Sequence, residues 1–174
     1  MPVSNSPRVA ILMGSDSDWE RIKSVATALD EFGVAYEIQV MSAHRTPGLV
    51  CEFSSQAADR GIRVIVAAAG GAAHLAGVVA AHTILPVIGI PVGTELAGGL
   101  DSLLSMVQMP GDVPVATVGV GPGGARNAGL LAVQIMAVAD AELRRKLLDY
   151  KQRLIDKVTA RNEALRRKIS GQSS

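Results

Sequence analysis

Arg8-Val9-Ala10-Ile11-Leu12-Met13-Gly14-Ser15-Asp16-Ser17-Asp18 decides the fold. From Val9 to Met13 every side chain is apolar, which marks a strand covered on both faces rather than one with a wet side. A short polar string follows at once, and then helical spacing. Between Asp18 and Phe32, Trp19, Ile22, Val25, Ala26 and Leu29 fall on one helix face. Strand, polar turn and helix make the unit of a parallel sheet. Its turn belongs at the carboxyl edge, where open α/β sheets bind ligands.

The unit recurs along the chain. Gly33 ends the first helix, and Ala35–Met41 reads as the second strand. Pro47 opens a helix to about Arg60 from the N1 position. Ile62–Ala69, Val87–Ile90 and Val113–Val118 read as further strands; Ala72–His82, Leu100–Gln108 and Ala125–Ala139 read as helices. Strands alternating with helices predict a three-layer α/β/α sandwich with a central parallel sheet, flavodoxin-like or Rossmann-like, joined by right-handed crossovers. A single domain over 1–174 is expected, with a core at 8–139 and a long amphipathic helix at about 140–169. Leu147, Leu154, Val158, Leu165 and Ile169 form that helix's apolar stripe, expected to pack on another subunit.

Composition narrows the function classes. Hydrophobic residues are 48% of the 174 and aromatics 3%, so the core must be Ala, Val, Ile and Leu, with 18 glycines allowing close packing. A net charge of +1 provides no field for nucleic acid or a membrane surface. Cys51, the single cysteine, makes no internal disulfide. Residues 1–7 lack the character of a signal peptide, and no apolar run is long enough to span a bilayer. A cytoplasmic protein without nucleic-acid or membrane partners is expected. The three histidines are scattered, so no metal site is expected.

Four loops carry candidate chemistry. Gly14, Ser15, Ser17 and Asp18 offer amides and hydroxyls to a phosphate and a carboxylate to ribose, although Ser and Asp here also suit a helix cap. Ser42-Ala43-His44-Arg45-Thr46-Pro47 is more specific. Arg45 brings a planar donor fork, and His44 a side chain that exchanges protons near neutral pH. After the third strand, Ala69-Gly70-Gly71 lets backbone approach a flat base or a carboxylate. His74 and Leu75 follow; by itself His74 reads more readily as structural, as does His82. Gly119-Val120-Gly121-Pro122-Gly123-Gly124 matches G-x-G-x-x-G formally. It lacks a following strand with an acidic residue, and Pro122 removes an amide. Those glycines are expected to form a tight, mobile turn near the site.

Together these strings resemble the class I N5-carboxyaminoimidazole ribonucleotide mutases, the catalytic subunit of phosphoribosylaminoimidazole carboxylase. Met13–Trp19, Ser42–Pro47, Ala69–Leu75, Gly98–Pro110, Val113–Thr117 and Asn127–Ala132 carry the likeness, which spans roughly Arg8–Leu148. It departs at Ala76, where the family usually has proline, and at Arg126, where it tends to have a small residue. The resemblance implies an isomerase of de novo purine synthesis that moves a carboxylate from the exocyclic nitrogen to carbon 4 of the imidazole. It implies His44 as general acid/base, Ser15, Ser42 and Arg45 at the 5′-phosphate, Asp18 at the ribose, and Gly70, Gly71 and neighbouring backbone at the base and carboxylate. His74 and Leu75 join the substrate-binding set. No cofactor is implied. The partners implied are a small nucleotide substrate, CO2 and further copies of the chain in an octamer. Two alternatives remain open on the residues: direct carboxylation of aminoimidazole ribonucleotide by CO2, and a flavin- or dinucleotide-binding module.

Overall fold

The computed structural model describes residues 6–171. Five parallel strands form one sheet in the order β2-β1-β3-β4-β5. They are β1 Val9–Met13, β2 Tyr36–Val40, β3 Val64–Ala69, β4 Val87–Pro91 and β5 Ala116–Thr117. Helices α1 Trp19–Ile22 and α2 Ser24–Phe32 follow β1, and α3 Pro47–Gln56 follows β2. After the next strands come α4 Leu75–Ala81, α5 Leu100–Val107 and α6 Pro122–Ala137. This is the flavodoxin-like order, and the chain reverses its winding between β1 and β3.

Period-two alternation divides the core. Ala10 and Leu12 of β1, with Ile65, Ala67 and Ala69 of β3, pack in one cluster with Val50 of α3 and Leu75, Ala76 and Val79 of α4. Every residue of β1, β3 and β4 is buried, as an uninterrupted apolar strand requires. The edge strands are the exceptions: in β2 Glu37 pairs with Arg60 while Ile38 and Val40 are exposed, and in β5 Ala116 is exposed.

Several boundaries differ from those expected, for identifiable reasons. The helix over Asp18–Phe32 is a 3-10 turn at Asp16–Asp18 followed by two α segments that meet at Lys23, whose amide still reaches the Trp19 carbonyl. α3 stops at Gln56, because the chain turns into Gly61, which has φ +94°. β5 keeps two of the six expected residues; Pro114 has no amide to give the ladder. α4 begins at Leu75 rather than Ala72, because Ala73 and His74 bond back to the carbonyls of Gly71 and Ala72 in tight turns.

The glycine loop is also corrected. Pro122, Gly123 and Gly124 are not part of a mobile turn but the first turn of α6, with Pro122 at its start and Gly121 at φ +87° before it. Gly124 lies against the Gly119 backbone, where a Cβ would come within 1.6 Å of the carbonyl oxygen. The loop does not border the cleft described below. Gly121 and Pro122 line a separate hollow of about 660 Å³ with Arg21 and Thr94. Arg126, where the chain departs from the family pattern, reaches from α6 to Glu31 of α2 in a 2.8 Å ion pair. Ala76 is fully buried in the first turn of α4, a position that would also accept proline.

The chain divides into two compact units at Met136/Ala137. In the second, α7 Ala141–Ile169 begins with Asp140 capping the Leu143 amide at 3.1 Å. Glu142–Lys146 and Arg145–Asp149 pairs run along it at i,i+4 spacing. Leu154, Val158, Leu165 and Ile169 are exposed. Among the described residues no helix is long and apolar enough to cross a membrane.

Two neighbouring glycines should respond oppositely to alanine. Gly124→Ala must displace backbone and is expected to lower stability by about 3 kcal/mol or more. Gly123→Ala meets nothing within 4 Å, and its better helix propensity should raise stability by up to about 1 kcal/mol. Urea denaturation of both variants checks the pair.

Candidate functional site

The reversal between β1 and β3 opens a cleft of about 460 Å³ at the carboxyl edge of the sheet. Three strand-end loops wall it. From β1 come Gly14, Ser15 and Asp18; from β2 come Ser42, Ala43, His44 and Arg45; from β3 come Ala69, Gly70, Ala72, His74 and Leu75. Two expected residues stand back from it. Ser17 reaches the cleft only through its hydroxyl, 2.9 Å from that of Ser15. Gly71 gives its amide to Ser102 instead. Ala72 is a wall residue that the sequence did not single out.

Each loop is braced locally. Ser42 is the hub of the second: its hydroxyl oxygen accepts the amides of His44 and Arg45 at 3.3 and 3.2 Å. Both its lone pairs are then engaged, which leaves the O–H hydrogen for an anion. Thr46 closes the turn, its amide on the Ser42 carbonyl and its hydroxyl accepting the Ser42 amide, both at 2.9 Å. Arg45 crosses to the first loop and donates to the Gly14 carbonyl at 3.1 Å. That bond fixes a guanidinium fork beside Ser15, and a smaller hollow lined by Ser15, Ser42, Arg45 and Thr46 adjoins the main cleft.

The histidines are not the lone groups that local reading made them. His44 Nε2 lies 2.8 Å from His74 Nδ1, with the rings edge to face and their centres 4.9 Å apart. One nitrogen donates and the other accepts, so a single hydrogen is shared between a loop after β2 and a loop after β3. Thirty residues separate the two in sequence, and only the parallel topology brings them together. His82 matches its structural reading: Nδ1 donates to the Val78 carbonyl at 2.8 Å, and Nε2 faces Cys51 Sγ at 3.2 Å.

Asp18 is half-buried in the cleft lining. Burial raises its carboxyl above the ordinary range; the Ser15 backbone and Arg21 offset this in part. A carboxylate desolvated in this way is suited to accept hydroxyl hydrogens from a ligand. Among the described residues no three His, Cys, Asp or Glu side chains are grouped as metal ligands.

A family model described as AIR carboxylase matches residues 8–157. The N5-carboxyaminoimidazole ribonucleotide mutase of Mycobacterium leprae is 53% identical over 165 residues, 95% of each chain. The Bacillus subtilis mutase is 58% identical over 141 residues, 81% of this chain and 87% of its own. The crystal structure of Treponema denticola PurE superposes with a TM-score of 0.82 at 29% identity, covering 91% of this chain and 98% of that one. The chain belongs to the AIR carboxylase family.

The raised carboxyl of Asp18 makes a signed prediction. Its folded pKa exceeds its unfolded value, so the native state holds more protons between the two, and stability falls as pH rises through that window. Asp18→Asn should therefore raise Tm of the ligand-free protein at neutral pH. That gain should disappear as pH falls into the ordinary carboxylate range. Calorimetry of both forms across pH checks it; an equal Tm difference at every pH would contradict the desolvation account.

Proposed function

We propose that this chain is an N5-carboxyaminoimidazole ribonucleotide mutase, an isomerase of purine biosynthesis that shifts a carboxylate from the exocyclic nitrogen to carbon 4 of the imidazole ring. The observation that carries the reading is the shared cleft. One arginine, two loop serines, a half-buried aspartate and a hydrogen-bonded histidine pair converge on it, in a chain about as long as the mutases it matches.

The residues divide the nucleotide by chemistry. Arg45 and the hydroxyls of Ser15 and Ser42 take the 5′-phosphate, since fork and O–H donors suit a dianion. Asp18 accepts from the ribose hydroxyls. The walls at Ala69, Gly70, Ala72 and Leu75 offer little beyond backbone and methyl groups, which suits a flat ring and an apolar CO2 molecule. His44 protonates the exocyclic nitrogen as its bond to the carboxylate breaks and CO2 departs. CO2 held beside carbon 4 then adds there, its high local concentration replacing a bimolecular encounter. His44 removes the proton from carbon 4 and restores the aromatic ring. One imidazole thus gives and recovers one proton, and no net proton change results. His74, hydrogen-bonded to Nε2 of His44, holds the orientation and tautomer of that ring.

The same reading places the chain in the cytoplasm as a homo-octamer, to which the exposed apolar residues of α7 lend support. Multi-angle light scattering gives the subunit number. The family's carboxylase description supports a second reading, direct capture of CO2 by aminoimidazole ribonucleotide. Labelled bicarbonate separates the two: a mutase keeps much of the substrate's own unlabelled carboxylate in its product.

The decisive assay follows carboxylate transfer by ultraviolet absorbance with purified nucleotide and no ATP. His44→Asn should lower kcat by about 10²- to 10⁴-fold while ligand binding persists. Arg45→Ala should raise KM about ten- to a hundredfold through loss of a charged hydrogen bond. Near-normal turnover in His44→Asn would remove His44 from the chemistry, and an unchanged KM in Arg45→Ala would remove Arg45 from the phosphate.

A further inference from the structure

One helix faces both polar groups of Gly71. The Gly71 amide donates to Ser102 Oγ at 2.9 Å, and its carbonyl lies 3.3 Å from Ser105 Oγ, whose single hydrogen is shared with the closer Asp101 carbonyl at 2.8 Å. Ser102 and Ser105 are three apart in α5 and so share a face. Ser102 is fully buried, and its own hydrogen goes to the Val92 carbonyl at 2.7 Å, just beyond β4. This hydroxyl therefore stitches the loop after β3 to the loop after β4. Behind it, Asp101 Oδ1 accepts from Thr94 Oγ1 at 2.6 Å and from the Ser102 amide at 2.8 Å, which fixes the first turn of α5. The chain reaches that turn through Ala97, Gly98 and Gly99, all at positive φ. The alanine there is a conformation that folds keep only when their surroundings enforce it.

What is gripped matters to the cleft. Gly71 has φ +67°, and from it the chain makes two tight turns, Ala73 amide to Gly71 carbonyl and His74 amide to Ala72 carbonyl, both 2.8 Å. The tether from Gly71 to His74 is short and internally bonded, so a shift at Gly71 is passed to the imidazole. The 2.8 Å contact between His74 and His44 has little room to absorb it.

We propose that Ser102 is a positioning residue for the reaction, holding Gly71 in the left-handed turn that delivers His74 to His44. The proposal rests on the mutase reading above. It predicts an effect on turnover transmitted wholly through His74, which a general loss of stability would not produce.

A double-mutant cycle on the full-length protein tests it. Ser102→Ala should lower kcat about ten- to a hundredfold, with KM within about threefold of wild type, because a misplacement near 1 Å costs about that much. In a His74→Asn background the same change should add less than about a twofold loss, since its route of action is already cut. Losses that multiply across the two sites overturn the proposal. If Ser102→Ala does not fold, Ser105→Ala is read by the same cycle, with a smaller loss of about three- to tenfold expected. A second readout needs no turnover: the imidazole ¹⁵N signals of His44 and His74 in the ligand-free protein should move in the serine variant, and unmoved signals overturn the proposal. Absence of carboxylate transfer by the wild-type protein would instead strike the mutase reading, leaving the ¹⁵N comparison to judge the serine.

Discussion

The last rung between β1 and β3 is the point to which the cleft is referred. Met13 pairs with Ala68, and the next amide, Gly14, donates to the Ala68 carbonyl at 3.2 Å. These strands are neighbours in space but not in sequence, and the helices that follow them cover opposite faces of the sheet. Ending level, they splay their loops apart and leave a gap lined by backbone and small side chains. Arg45 then ties the loop after β2 to the same place through the Gly14 carbonyl. Its guanidinium, both loop serines and the histidine pair take their positions from strand ends that the buried ladder holds in register.

A site of this kind gathers groups that would be more comfortable apart. Asp18 carries a desolvation cost, Gly71 and the Ala97–Gly99 run hold left-handed backbone, and Ser102 is a buried hydroxyl that needs both its partners. The molecule offsets these with layers of apolar contact in which nearly every side chain is aliphatic. Rigidity there has a functional side, because the cleft loops are short and are braced by hydrogen bonds within each loop, to the neighbouring loops and to α5.

Much of this was legible in the chain. The apolar runs identify β1, β3 and β4, because buried parallel strands leave no alternation to obscure; the edge strands β2 and β5 are legible as shorter β-branched stretches between turn signals. The polar strings after the first three strands read as ligand loops from their position at the sheet's carboxyl edge and from their residue types, and that is where the cleft lies. Pairings across long sequence separations were not legible. Nothing near His44 announces His74, and nothing in Leu100–Gln108 distinguishes Ser102, which faces the core, from Leu104, which is exposed. A helical wheel ranks the leucine as core and the serine as surface; burial inverts that order because a strand-end carbonyl and a loop amide wait inside. The glycine string at 119–124 misled for a related reason. Its composition describes a flexible loop, whereas its contacts show close approach of helix to backbone.

The edge strand β2 has a consequence for handling the protein in bulk. Its outer row of peptide groups is open in the sheet, and two of its β-branched side chains face outward. Such an edge is a template on which another chain can add. Glu37, in the second position of the strand and ion-paired with Arg60, places charge beside that row, the placement by which natural edge strands discourage the addition of another chain. Neutralising it would leave the cleft untouched yet make the preparation prone to cloud on storage.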